Sequence, residues 1–295
     1  MLENLEQTSV LLLYSAMIVY SLAFVSYAID LANRSSDYYE HGGKSRSLRI
    51  GFSLTVLAWL LHLGATALRG LEAERLPWAN MYEFALTATL CIVLIYLLVQ
   101  FIVDLRYLGA LITGMTVLFL GVSKVNYYVP VVPLQAALDS YWLVIHILVA
   151  VLATGFLTLS FGLSVLQLLQ TRRERLEKEN QASKLKFLRG IPAASRLEDL
   201  SYRVAIIGFV FWTFTIIAGS IWAEAAWSRY WGWDTKEVWS FVIWVLYAGF
   251  IHARSTRGWR GTRSAWLSII AYSTVIFNFT IVNVYFKGLH AYSGL

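Results

Sequence analysis

Eight apolar runs follow one another along this chain of 295 residues, at about 9–30, 49–69, 79–103, 106–123, 140–170, 202–221, 237–254 and 264–286. A helix needs about 20 largely apolar residues to cross a hydrocarbon core, so each run predicts a spanning helix. The fourth is short and carries Gly109, Gly114 and Gly121. The fifth is long and predicts a helix that projects beyond the bilayer. The expected fold class is an all-α integral membrane protein, a polytopic bundle of about eight transmembrane helices forming one domain over 1–295. No internal repeat or low-complexity tract interrupts it.

The polar segments between the runs set a direction. With the N-terminus outside, the inner segments collect 18 Lys and Arg residues and the outer ones 6. Basic residues gather on the cytoplasmic side of membrane proteins, so both termini are expected outside. The stretch 171–201 mixes Arg, Glu, Lys and Gln and reads as a cytoplasmic basic linker, its start continuing the fifth helix. The opposite end of the bundle then carries the segment 222–239.

That external segment is the least ordinary part of the chain. Trp222, Trp227, Trp231, Trp233 and Trp239 crowd around Gly232, with Asp234, Lys236 and Glu237 beside them. Tryptophan suits a membrane–water interface, and simple anchoring is one reading. Five rings beside a charged rim also suit a large flat ligand with polar edges, such as a porphyrin.

Composition narrows the classes. Hydrophobic residues make up 58% of the chain and charged residues 14%, far from a soluble domain. The net charge of +6 follows the topology and gives no reason to invoke nucleic acid. The acidic start (Glu3, Glu6) is unlike a cleavable signal peptide. Cys91 is the single cysteine, expected in the core, so the chain has neither an internal disulfide nor a Cys-x-x-Cys-His haem-attachment motif. Phosphate-loop and His-Glu-x-x-His zinc motifs are also lacking. Asp234 and Glu237 could pair for acid–base work, but no nucleophile accompanies them.

Four of the five histidines are candidates, His41 being placed in a polar loop. An ionisable residue in a span is a functional-site candidate by default. His146 stands near the outer start of the fifth helix, one turn after Trp142. His290 stands in the outer tail beyond Gly288. The two flank the tryptophan segment in sequence and could supply a pair of axial imidazoles to a haem iron. His252 lies about 21 Å further along the seventh helix than Val238, near Arg254, with Ala248 and Gly249 one turn before it. It either holds a ligand or snorkels to the inner interface. His62 in the second helix is either a core histidine or a weaker ligand candidate.

The run Trp227 to Trp239 resembles the "WWD" signature of haem-handling proteins in cytochrome c maturation, and the chain as a whole resembles their CcsA type, also called ResC, of the System II pathway. Pro77-Trp-Ala-Asn80-Met-Tyr82-Glu83 resembles a further family stretch. Tyr141-Trp142 with His146 resembles its first external histidine motif, and Phe286 to Tyr292 its second. Two departures are local: the family often has Gly where Ser228 stands and Pro where Thr235 stands. The related CcmF is much longer, and CcmC shorter.

The resemblance implies a multi-pass protein of the bacterial cytoplasmic or thylakoid membrane. It implies transport of haem b, as substrate rather than permanent cofactor, and its covalent attachment to the Cys-x-x-Cys-His of apocytochrome c outside. The chain would act as a haem-lyase subunit with a CcsB/ResB-like partner and with thiol-reducing proteins. His146 and His290 would be the outer ligands to iron. Trp222, Trp227, Trp231, Trp233, Asp234 and Trp239 would hold the macrocycle, with no catalytic residue beyond that positioning. His252, or more weakly His62, would serve an inner site completed by the partner. A dihaem b-type electron carrier and an exporter of another amphipathic molecule are the alternatives.

Overall fold

The computed structural model describes residues 2–34, 45–134, 136–181, 185–256, 258–286 and 288–289. His41 and His290 lie outside the described residues. The described chain is helical with short connections: α1 Leu2–Asn33, α2 Arg46–Glu72, α3 Met81–Val99, α4 Gly109–Asn126, α5 Tyr141–Lys178, α6 Ala194–Trp227, α7 Thr235–Thr256 and α8 Thr262–Phe277. A π-helical turn, Asn278–Val282, extends α8 toward Tyr285. Among the described residues, eight helices are long and apolar enough to cross a membrane. They coincide with the eight runs read from the sequence.

Burial ranks the helices. Over its most apolar window, α5 is 61% buried and α7 only 22%, so α5 is the central post and α7 presents most of its surface outward. Small residues let α1 and α2 approach closely: Ala16, Ala23, Ala58 and Ala65 are all fully buried. Such close contact drives helix association where no hydrophobic effect operates between helices. One core cluster joins α1–α4 to the middle of α5. A second joins α5 to α6, α7 and α8. A third, containing Leu143, Ile147 and Trp222, lies at the end of the bundle where α3 and α5 begin and α6 ends.

Two ionic clips fix the helix ends. Glu83 on α3 is buried and receives Arg69 of α2 at 3.1 Å and Arg75 at 2.7 Å. It also accepts the Ala79 N–H, while Asn80 Oδ1 caps the Glu83 N–H at 2.9 Å. This reciprocal cap starts α3 and accounts for the Asn80 and Glu83 of the family-like stretch. At the other end, Arg254 of α7 pairs with Glu198 and Asp199 of α6 and lies over the Tyr202 ring. Glu198 also accepts the Gly261 N–H at 2.9 Å, tying the α7–α8 turn to α6. The segment 171–201 is less of a linker than its composition suggests. Helix α5 runs to Lys178 and α6 starts at Ala194, because the Glu and Gln interspersed with its Arg and Lys keep helix propensity high.

Candidate functional site

Helix α7 begins with a capping box. Asp234 Oδ1 accepts the Lys236 N–H at 2.8 Å, and Glu237 Oε2 accepts the N–H groups of Asp234 at 3.0 Å and Gly232 at 2.8 Å. Helix N-termini leave such N–H groups without intrahelical partners, and carboxylates satisfy them well. Asp234 Oδ1 and Glu237 Oε2 are therefore engaged by backbone, while Glu237 Oε1 is buried without a hydrogen-bond partner among the described residues and Glu237 lines the cavity beneath the loop. Asp234 does more: its Oδ2 accepts the N–H of Leu289 at 2.9 Å. Gly288 permits that approach, since a Cβ there would sit 2.2 Å from Asp234 Oδ2. The tryptophan segment is thus tied to the C-terminal tail at the residue preceding His290.

Beneath this loop a cavity opens between the starts of α3, α5 and α7, the end of α6 and the π turn after α8. Chain alternation places all five at the same end of the bundle. The cavity and its open mouth together hold about 1100 Å³ of atom-free space, open solvent included. Its wall is aromatic, with Trp78, Phe84, Trp212, Trp222, Trp231 and Phe279.

His146 lines this cavity and is held on two sides. Its Nδ1 meets the Thr215 carbonyl at 2.9 Å, and its ring stacks on Trp222 at 5.8 Å and 19°. A carbonyl partner requires the proton on Nδ1, which leaves the lone pair on Nε2. This is the orientation that metal-binding imidazoles adopt, with the second nitrogen fixed by a backbone acceptor. Gly219 makes the fit possible, because a Cβ there would lie 2.8 Å from the imidazole Cε1 and Nδ1.

The five tryptophans do not form one continuous shelf. Trp222 is only 2% exposed and donates its indole N–H to the Ala137 carbonyl at 2.9 Å. Trp227 packs edge-on against Trp222 at 4.9 Å, away from the cavity lining. Trp231 lines the cavity and meets Trp233 edge-on at 5.9 Å. Trp233 itself is 74% exposed. Trp239 leans on Phe277 at 4.4 Å, outside the lining. Two cavity tryptophans escaped the sequence reading, Trp78 and Trp212. Trp212, Thr215, Gly219 and Trp222 do share one face of α6 by their spacing, which was a legible signal.

The other histidines separate clearly. His252 is exposed near the far end of α7, and a Cβ on Gly249 would meet nothing within 4 Å. His62 is fully buried, edge-on to Tyr20 at 6.0 Å, and lines no part of the cavity. It sits in the α1–α2 core, with both ring nitrogens buried and without hydrogen-bond partners among the described residues.

The chain has known relatives in sequence and in fold. The family described as "Cytochrome C assembly protein" matches residues 78–290. The "Cytochrome c biogenesis protein CcsA" of Guillardia theta is 30% identical, covering 83% of this chain and 86% of its own. That of Synechococcus elongatus is 31% identical, covering 82% and 86%, and that of Prochlorococcus marinus is 29% identical, covering 92% of each. In fold, the chain is similar to a "Cytochrome c Heme Lyase CcmF" with a TM-score of 0.61 at 20% identity, over 91% of this chain and 46% of that longer one. A match running from the cavity wall at Trp78 to His290, with relatives aligned over most of their length, places this multi-pass membrane protein in the cytochrome c assembly family, and its work in cytochrome c biogenesis.

Proposed function

We propose that the cavity holds haem b on the outer face of the membrane while haem is joined to apocytochrome c. The observation that carries this is His146, with Nδ1 on a backbone carbonyl and its ring packed on Trp222 inside an aromatic cavity. A flat macrocycle suits the aromatic wall, and the Nε2 lone pair suits its iron. His290 would supply the second axial ligand. The Asp234–Leu289 hydrogen bond supports this by tethering the preceding residue to the tryptophan loop.

The chain's contribution is positioning. His146 and the aromatic wall orient the macrocycle, and the loop above leaves an opening for the apocytochrome. Each thiol then adds across a vinyl group: sulfur bonds one carbon, the proton goes to the other, and no electrons leave the pair. This needs reduced thiols. A CcsB/ResB-like partner would complete an inner haem station at His252, and both termini would face outward.

His146→Ala and His290→Ala should each abolish cytochrome c assembly while leaving the protein inserted, and imidazole in the medium should restore part of it. Full assembly in either variant without imidazole refutes the assignment.

A further inference from the structure

The cavity contains a lysine whose ammonium has only neutral hydrogen-bond partners, although the carboxylate of Glu237 also lines the cavity. Lys236, the second residue of α7, lines it. Its ammonium donates to the Asn278 carbonyl at 3.0 Å and to Asn283 Oδ1 at 2.6 Å, and lies 4.8 Å from the centre of the Phe279 ring. All three partners are neutral. Among the described residues no carboxylate reaches ion-pair distance. The nearest acids in sequence, Asp234 and Glu237, cap the helix instead, Asp234 through the N–H groups of Lys236 and Leu289, Glu237 through those of Gly232 and Asp234. An ammonium has three donors, and two are accounted for.

A charge withdrawn from water is costly unless something opposite pairs with it. Here protein dipoles compensate part of that cost, and the cavity supplies a route for the rest. The π turn contributes to the arrangement, since both Asn278 and Asn283 border it. Such turns frequently mark functional sites.

We infer that Lys236 receives a carboxylate of the ligand and so determines which edge of it points inward. This rests on the haem reading above. Haem carries its two propionates on one side and its vinyl groups on the other part of the ring. A propionate anchored at Lys236, against the α7–α8 wall, turns the vinyl-bearing edge away from that wall and toward the opening. Lys236 is thereby a positioning residue for the attachment reaction, distinct from the axial ligand.

The test uses the full chain in detergent, titrated with haemin and with its dimethyl ester, whose propionates are neutral. The wild type should bind the diacid about tenfold more tightly than the ester, the worth of one hydrogen bond to a charged group. Lys236→Met should erase that preference while keeping ester affinity, and Lys236→Arg should keep most of it. Asn283→Asp provides a second route: it places a carboxylate beside the ammonium and should erase the preference with the lysine still present. Wild type that binds both forms equally, or a Lys236→Met variant that keeps the preference, overturns the assignment. Wild type that binds neither form overturns the haem reading itself.

Discussion

Single residues at this site carry more than one duty, and the structure separates duties the sequence runs together. From sequence, Asp234 could either orient the tryptophan segment or touch a ligand. Its oxygens accept the N–H groups of Lys236 and Leu289, which supports the orienting role. Gly219 is the counterpart under His146. Gly219→Ala would push a methyl into the imidazole, and should lower bound haem at least severalfold while the unfolding temperature stays within a few degrees; a haem content equal to wild type would mean that the ring has no fixed pose to lose. The two departures from the family pattern also acquire a physical meaning. Ser228 ends α6 with φ 54° and ψ 37°, a left-handed conformation that glycine adopts freely and other residues adopt at a cost of roughly 1–2 kcal/mol. Thr235 is the first residue of α7, where proline is preorganised. Ser228→Gly and Thr235→Pro are each expected to stabilise by about 0.5–1 kcal/mol without altering haem content. A lower unfolding temperature in both would contradict this backbone account.

At the scale of elements, α7 links two places one haem cannot occupy together. Its first turn closes the cavity, while His252 lies more than four turns further on. The open surface at Gly249 makes a clean experiment possible. A Cβ at Gly249 meets nothing within 4 Å, so insertion and stability of Gly249→Leu should match wild type. If haem rests beside His252 on its way outward, that variant should reduce haem in the outer cavity as severely as His252→Ala, with little rescue by imidazole. Normal outer loading in both variants, expressed with the partner, would make His252 a surface residue. The inner ends of the helices have a separate, structural task. Arg254, adjacent in sequence to that region, is engaged by Glu198, Asp199 and Tyr202, so its charge serves to hold α7 on α6 as well as to mark a side of the membrane.

For the whole molecule, the alternation of eight spans puts His146, the tryptophan loop and Leu289 at one end whichever way the protein inserts. From the split of 18 to 6 basic residues we propose the outer side for that end. Alkaline phosphatase, which needs an oxidising compartment to form its disulfides, should be active when fused after Lys236 and nearly inactive when fused after Arg189. The opposite pattern would invert the protein and remove the outer haem site with it.

The eight spans, their order and the concentration of tryptophan near one membrane face were determined by the sequence alone, because apolar length and interfacial preference are properties of consecutive residues. His146 was legible for the same reason, as an imidazole placed within an apolar run beside a tryptophan. The tertiary structure decided which rings face the cavity. Trp222, Trp227, Trp231, Trp233 and Trp239 differ in burial according to what packs from other helices, and nothing in their local spacing shows that. Trp78, 144 residues before Trp222 in the chain, joins the same wall only through helix packing. The decisive polar contacts are equally non-local: Lys236 meets Asn283 across 47 residues and Asp234 meets Leu289 across 55. Whether a buried polar group is a cap, an anchor or an orphan depends on partners brought by distant elements, and only the packed bundle supplies them.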